Sequence, residues 1–218
     1  MTSAVPIDMV SDVVCPWCFI GKRRLEKAIA LRPDIRVEVR FRPYFLNPWV
    51  PREGISRNEY LTMKFGSPEH YRAIAQRVAQ AAAAEGLIYN LDEIKRQPNT
   101  LDCHRLILWA SDKAARMKQR LMEFYFAEGA DLTNRDVLVT AAAACGLDAL
   151  RTRERLASEE DVERITQEAD SAKEAGIEGV PCFIFGGHIA VQGAHPPEHL
   201  AQAIARAADE RAEWQVAG

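Results

Sequence analysis

The chain has 218 residues, 28 of them basic and 31 acidic, and its formal net charge is −3. This balance disfavours binding to a nucleic-acid backbone, which calls for a basic excess, and no apolar run approaches the roughly 20 residues that span a bilayer. We therefore expect no nucleic-acid partner and no membrane partner. The first residues lack the charged and apolar regions of a signal peptide, and the five cysteines are an odd number. Both features predict a cytoplasmic protein with reduced thiols.

A β–α–β unit opens the chain. The apolar run at residues 7–14 predicts a strand, and the helix after it carries Phe19, Leu25 and Ile29 on its apolar side. Residues 35–43 then alternate apolar and charged side chains, which is typical of a half-exposed strand. Because such crossovers are right-handed, we expect the two strands to pair in parallel.

The helix of this unit begins with the sequence Cys15-Pro16-Trp17-Cys18. Two cysteines at this spacing lie about one helical turn apart, within reach of each other's sulfur. The first sulfur sits where unpaired backbone N–H groups and the helix dipole favour a thiolate, and Pro16 fits the first turn. A thiolate attacks disulfides, and a neighbouring thiol can close a disulfide to release the partner. We predict a redox dithiol with Cys15 as the nucleophile, at a lowered pKa, and Cys18 as the resolving thiol.

Three other interpretations of the cysteine pair stay open. A zinc site needs a second close pair of ligands, but Cys103, Cys145 and Cys182 are scattered singly, so we expect no metal. A static disulfide in so small a loop would add little stability. Two inert core cysteines are the third possibility, since free cysteine is often simply a small buried apolar residue.

From about residue 56 to residue 176 every recognisable element is helical. Capping residues and glycines divide this stretch into five predicted helices. The first starts at Ser67, the second at Asn99, the third carries Leu121, and the last two start at Thr133 and Ser158.

The periodicity of the sequence changes back after residue 176. Residues 180–185 predict a strand, Gly186-Gly187 a tight turn, residues 188–192 the partner strand, and Pro196-Pro197 the start of a last helix. The order is β–α–β, helices, then β–β–α, with a dithiol after the first strand. This predicts an α/β, thioredoxin-like fold interrupted by a large all-helical insertion. We expect the thioredoxin-like domain over residues 1–52 and 177–218, and the insertion over residues 53–176.

Four separated stretches resemble the DsbA-like thioredoxin superfamily, and most of all its FrnE-like branch of cytoplasmic oxidoreductases. The resemblance implies thiol–disulfide exchange on protein or small-molecule disulfides, with the dithiol at the junction of the two domains. It also implies that Pro181 is a cis-proline beside the dithiol and that the backbone of Val180 pairs with substrate. The stretches are SDVVCPWCFIGKRRLEKAI, PNTLDCHRL, FYFAEGADLTNRDVL and GVPCFIFGGHIAVQGAHPPE.

Two cysteines depart from the family pattern. Cys103 stands where relatives commonly carry a small apolar residue, on a helix that the resemblance places over the cleft, so a thiol near Cys15 is conceivable. Cys182 directly follows the proline and should point away from Phe183. We expect packing roles for both, and for Cys145.

Other side chains near the expected cleft allow two interpretations. His104 and Arg105 bind substrate or tune the thiolate, or else they are a hydrogen-bonded interior histidine and a surface arginine with a buried stem, which we slightly favour. Trp17 offers substrate a flat apolar contact, or packs against Phe45 or Trp49.

The function predicted from these features is a thiol–disulfide oxidoreductase that reduces, oxidises or isomerises disulfides through a mixed disulfide. It needs no cofactor beyond its own redox-active disulfide, and its electron donor is a cellular thiol reductant or glutathione as a co-substrate. One alternative is a glutathione-dependent enzyme of the 2-hydroxychromene-carboxylate isomerase or kappa-class transferase type, whose members carry serine where this chain has Cys15. Another alternative is a non-catalytic redox-sensing binding module.

Overall fold

The computed structural model describes residues 4–217. In chain order the elements are β1 (Val5–Ser11), α1 (Pro16–Ala30), β2 (Val37–Pro43), β3 (Ile55–Ser56), α2 (Arg57–Phe65), α3 (Pro68–Ala84), β4 (Arg96–Gln97), α4 (Leu101–Trp109), α5 (Ala114–Phe126), α6 (Arg135–Ala144), α7 (Ala149–Ala157), α8 (Val162–Glu174), β5 (Cys182–Phe185), β6 (Ile189–Gln192) and α9 (Pro197–Ala217).

The central sheet has the strand order β2–β1–β5–β6. Strands β1 and β2 pair in parallel, and the β1–β5 and β5–β6 pairs are antiparallel. Met9 lies opposite Phe183 in the sheet, and alternation turns both into the core that α1 and α9 cover. The predicted α/β, thioredoxin-like fold with helices inserted between β2 and β5 is confirmed.

Most of the inserted helices share one apolar core with the sheet and with α1, while α2 packs with α3 in a separate cluster that contains Tyr60 and Tyr71. The ring of Phe19 on α1 stacks on Phe126 of α5 at 5.4 Å between centroids. On the same side, Glu85 after α3 accepts hydrogen bonds from Arg24 and Lys27 of α1. The domain limits at residues 52 and 176 remain a prediction from the sequence pattern, since packing runs continuously across them.

Two helices and a small ladder were not predicted. Helix α2 buries only Tyr60 and Leu61, and α7 only Thr152 and Leu156, so neither has the long apolar stripe that marks a helix in sequence. Strands β3 and β4 form an antiparallel ladder of two residues each, too short to show a period. The inserted segment is therefore not helical throughout.

Candidate active site

The dithiol lies at the N-terminus of α1, next to the core. Cys15 is the N-cap residue, its carbonyl accepts the N–H groups of Cys18 and Phe19 at 3.0 and 3.2 Å, and Pro16 starts the helix. The Cys15 side chain is 4% exposed and that of Cys18 is fully buried. Both thiols are free, as are the other three cysteines. One turn of helix therefore holds two thiols in unequal positions.

The two thiols differ in acidity. The pKa of Cys15 lies below its ordinary value, first because the Cys18 thiol donates to its sulfur and then because backbone N–H groups do the same, while burial and the charge of Asp12 oppose the shift. Burial raises the pKa of Cys18 well above its ordinary value, and the neighbouring Cys15 sulfur adds to that. The sequence predicted the helix N-terminus as the main cause for Cys15, but the larger contribution comes from Cys18.

The loop before β5 closes one side of the dithiol. The Val180–Pro181 peptide bond is cis, and the Cys15 thiol donates to the Val180 carbonyl at 3.5 Å. Helix α1 reaches this loop because Gly21 has no side chain: a Cβ there would lie 2.8 Å from Pro181 Cγ. The fold thus brings together two segments that are 165 residues apart.

A buried carboxylate lies behind the dithiol. Asp12 accepts the backbone N–H groups of Val13 and Leu46 at 2.7 and 2.9 Å, and His104 Nε2 lies 3.4 Å from its Oδ1. Burial opposes ionisation of Asp12, but His104 and these hydrogen bonds hold its pKa below the ordinary value. Burial lowers the pKa of His104, which is 4% exposed, although Asp12 opposes this. His104 is thus a hydrogen-bonded interior histidine that pairs with Asp12.

Two lysines near the dithiol were missed by the sequence analysis. Lys118 on α5 is fully buried, and its protonated form lowers the pKa of Cys18. Lys64 on α2 donates to Asn47 Oδ1 at 2.5 Å, and its charge interacts with Cys15 and Asp12. A signal for Lys118 was present, because it precedes the buried Leu121 and Met122 by three and four residues and so lies on the apolar stripe of its helix.

Arg105 lies outside the cleft. It is fully buried, and its side chain donates to the carboxylate of Asp102 at 2.7 Å and lies 4.8 Å above the ring of Trp109. Its remaining N–H groups donate to three backbone carbonyls in and after α7, those of Arg155, Ser158 and Glu160. Arg105 therefore neither acts in the cleft nor lies at the surface, the two positions that the sequence predicted. It connects α4 to the segment between α7 and α8.

The other candidate cysteines are buried packing residues. Cys103 is fully buried on α4, and burial raises its pKa well above the ordinary value. Cys182 is 5% exposed and packs with Val10 and Tyr44, on the opposite side of the strand from Phe183. Burial raises the pKa of Cys182 as well, so both thiols are held in the protonated, unreactive form.

The tryptophans beside the site remain partly open to solvent. Trp17, between the two cysteines, is 39% exposed, and Trp49 is 44% exposed and stacks on Tyr60 at 6.0 Å between centroids. Phe45 instead packs edge-on against His104 at 5.8 Å. The exposed ring of Trp17 leaves an apolar surface beside Cys15.

Neither a metal centre nor a membrane span emerges from residues 4–217. Over that range, no three His, Cys, Asp or Glu side chains are grouped so that they could hold a metal ion. None of the helices described there combines the length and apolar character needed to cross a bilayer.

The fold and this site together define a protein of the thioredoxin fold with a helix-terminal dithiol facing a cis-proline loop. The chain belongs to the DSBA-like thioredoxin domain family, whose model matches residues 6–205. Membership of the DsbA-like superfamily, implied by the four sequence motifs, is thereby confirmed. The narrower FrnE-like assignment stays a prediction.

Known proteins of similar sequence and structure cover nearly the whole chain. The crystal structure of a probable DsbA oxidoreductase, SCO1869 from Streptomyces coelicolor, is 32% identical with a TM-score of 0.86, over 94% of this chain and 91% of that one. The uncharacterized protein YwbO of Bacillus subtilis (strain 168) is 26% identical over 204 residues, 92% of this chain and 96% of YwbO. A 2-hydroxychromene-2-carboxylate isomerase structure is 16% identical with a TM-score of 0.69, over 96% of this chain and 98% of that one. At that identity the isomerase shows a shared fold alone.

Proposed function

We propose that the protein is a thiol–disulfide oxidoreductase in which Cys15 attacks and Cys18 resolves. The observation that carries this proposal is the inequality of the two thiols. Cys15 has the lowered pKa of a nucleophile, whereas Cys18 is fully buried with a raised pKa and lies one turn away. Since an isomerase shares the fold and enzymes of that type carry serine where this chain has Cys15, the complete Cys15–Cys18 pair favours disulfide exchange.

The reaction has two exchange steps. The Cys15 thiolate attacks one sulfur of a substrate disulfide, so that a Cys15–substrate bond forms, the substrate S–S bond breaks and one substrate thiolate leaves. Cys18 then loses its proton and attacks Cys15 Sγ, which releases the second substrate thiolate. The substrate gains two electrons and the dithiol becomes a disulfide. A thiol reductant such as glutathione returns these electrons in a reducing compartment such as the cytoplasm, and the reverse sequence oxidises substrates.

Two surfaces beside Cys15 suit an extended disulfide-containing substrate, either a protein or a small molecule. The backbone of Val180 adjoins the sulfur and is suited to strand-like pairing, which gives affinity without requiring a particular sequence. The exposed ring of Trp17 offers a flat apolar contact on the other side of the thiol.

Serine variants test the assigned roles. In an insulin reduction assay with glutathione as the electron donor, Cys15→Ser should abolish turnover, while Cys18→Ser should accumulate mixed disulfides that non-reducing electrophoresis detects. Cys145→Ser is the matched control, because this buried thiol lies at the end of α6 and should leave turnover unchanged. Near-normal insulin reduction by Cys15→Ser would refute the mechanism.

The same preparations separate the alternative functions. A glutathione-dependent isomerase would turn over 2-hydroxychromene-2-carboxylate and leave insulin intact. A redox-sensing module would undergo one cycle of oxidation and show no multiple turnover. Titration of the dithiol against glutathione buffers then shows whether the protein acts as a reductant or as an oxidant.

A further inference from the structure

Lys118 is a fully buried lysine whose amine has no hydrogen-bond partner within the described part of the chain. Its nitrogen lies 5.8 Å from the centre of the Phe41 ring. An ammonium group has three N–H donors to satisfy, and burying it without acceptors is costly. The surroundings therefore favour the neutral amine, which has a free lone pair.

Burial alone does not explain the missing partners. Lys22 on α1 is also buried, at 3% exposure, but its amine donates to Glu26 and to Gln119 at 2.5 and 3.1 Å. The chain thus places acceptors beside one buried lysine of this region and none beside the other.

Helix α5 packs against α1, β2, α4 and α6. Lys22, one helical turn after Cys18, donates to Gln119, the residue that follows Lys118, so this part of α5 lies close to the start of α1. The strongest attraction that favours the charged form of Lys118 comes from Cys18, ahead of Asp12. The titratable groups that interact with it from these elements and the adjoining loop are Cys18, Asp12, Lys22, Cys15, Cys103 and His104.

The other bases near Cys18 are already occupied. Both carboxylate oxygens of Asp12 accept backbone N–H groups, and Oδ1 also faces His104. His104 in turn interacts with Asp12 and with the backbone of Tyr44. Among the bases described near Cys18, Lys118 is the one that no hydrogen bond engages.

We propose that the neutral amine of Lys118 accepts the proton of the Cys18 thiol when Cys18 attacks the mixed disulfide. This inference rests on the proposed function and assigns a proton acceptor to its second step. The S–H bond of Cys18 breaks and an N–H bond forms on Lys118. The Cys18 sulfur then bonds to Cys15 Sγ, and the Cys15–substrate bond breaks. The leaving substrate thiolate carries the electron pair away, and the ammonium of Lys118 afterwards returns its proton to that thiolate or to solvent.

The flexible stem of lysine allows this transfer. Four methylene groups let the amine move toward the sulfur at the moment of attack. Burial raises the pKa of the Cys18 thiol, so its thiolate is costly to form. Proton transfer to Lys118 lowers this cost, because the sulfur then attacks next to a positive charge.

The test is single-turnover kinetics on the full chain with Lys118→Met. Reduced protein is mixed with excess peptide disulfide and quenched in acid, and mass spectrometry follows the mixed disulfide and the oxidised protein over time.

Formation of the mixed disulfide should stay within about twofold of the wild type. Its resolution at pH 7 should slow at least tenfold, since a positioned base contributes roughly 10²–10⁴-fold. The resolution rate of the variant should also keep rising with pH where that of the wild type has levelled off. Lys27→Met is the control, because Lys27 lies about three turns along α1 from Cys15 and pairs with Glu85, and it should resolve at the wild-type rate.

A second variant, Lys118→Arg, keeps a positive charge but does not accept a proton. Slow resolution by this variant supports proton transfer, whereas wild-type resolution would show that charge alone suffices and would overturn the proposal. If thermal melting shows that the arginine variant does not fold, the pH profile of Lys118→Met decides. An unchanged rate and pH profile in Lys118→Met overturns this inference only. A wild-type protein that never forms a mixed disulfide overturns the proposed function itself.

Discussion

Two neighbouring helices, α4 and α5, each bury a basic side chain completely, but the two side chains differ in their hydrogen bonds. Arg105 on α4 donates to a carboxylate and to three carbonyl groups and lies over the ring of Trp109. Lys118 on α5 has no hydrogen-bond partner in the described chain and adjoins the dithiol. A buried basic residue with satisfied hydrogen bonds thus holds two segments together, whereas one without hydrogen bonds is free to react.

The largest effect expected from this contrast is a loss of folding stability when Arg105 is replaced. Replacement by methionine removes the guanidinium, leaves the facing carbonyls unpaired and leaves Asp102 with Arg52 as its remaining cationic partner. We expect Arg105→Met to lower the free energy of unfolding by about 3–5 kcal/mol, the usual cost of breaking a buried charge pair. Urea unfolding measures this value. A loss below about 1 kcal/mol would mean that these hydrogen bonds add little, and the contrast with Lys118 would fail.

Lys118→Met should change stability in the other direction. Methionine has nearly the same shape and removes a buried amine that lacks partners, so we expect a gain of about 1–3 kcal/mol at pH 7. Burial lowers the pKa of Lys118 in the folded state, so the folded protein releases this proton at a lower pH than the unfolded chain does. The wild type should therefore recover stability as pH rises toward the unfolded pKa of about 10.4, and the gain of the variant should shrink. Unfolding curves at pH 7 and pH 9.5 provide the comparison, and a gain that grows with pH would contradict it.

The smallest expected effect concerns the charge of Asp12 and the pKa of Cys15. The charge of Asp12 raises the pKa of Cys15, so Asp12→Asn should lower that pKa further. Below the wild-type midpoint we expect iodoacetamide to alkylate Cys15 roughly two- to tenfold faster, since more of the sulfur is thiolate. Glu26→Gln is the control, because Glu26 is exposed on α1 and paired with Lys22 and Arg23. Slower alkylation of the Asp12→Asn variant would show that Asp12 lowers the pKa of Cys15 and would contradict this prediction.

Arg105 and Lys118 also show which features of the protein the sequence is able to predict. The dithiol at a helix start, the parallel β1–β2 pair and the β5–β6 hairpin follow from local patterns, and the structure has all three. Local patterns assign a charged side chain to solvent, so they place Arg105 at the surface or in the cleft and predict no buried role for Lys118. Their burial depends on α7, α8 and α1, elements that are distant in sequence, and α7 lacks the apolar stripe needed to predict it.

The acidity of Cys15 shows the same limit on a smaller scale. Its position at the helix N-terminus was sufficient to predict the direction of the shift. The leading cause, a hydrogen bond from Cys18, depends on the rotamers of two side chains, which no sequence spacing specifies.

The 165 residues between Cys15 and Val180 have a consequence for the nascent chain. At a synthesis rate of about 5–20 residues per second, the dithiol leaves the ribosome roughly 10–30 s before the loop that covers it. During that interval β1 lacks its partner β5, and both thiols are open to small oxidants and to other emerging cysteines. Cotranslational protection of Cys15 and Cys18 must therefore come from the reducing capacity of the surroundings, because the fold supplies its own cover only when the last strands have been made.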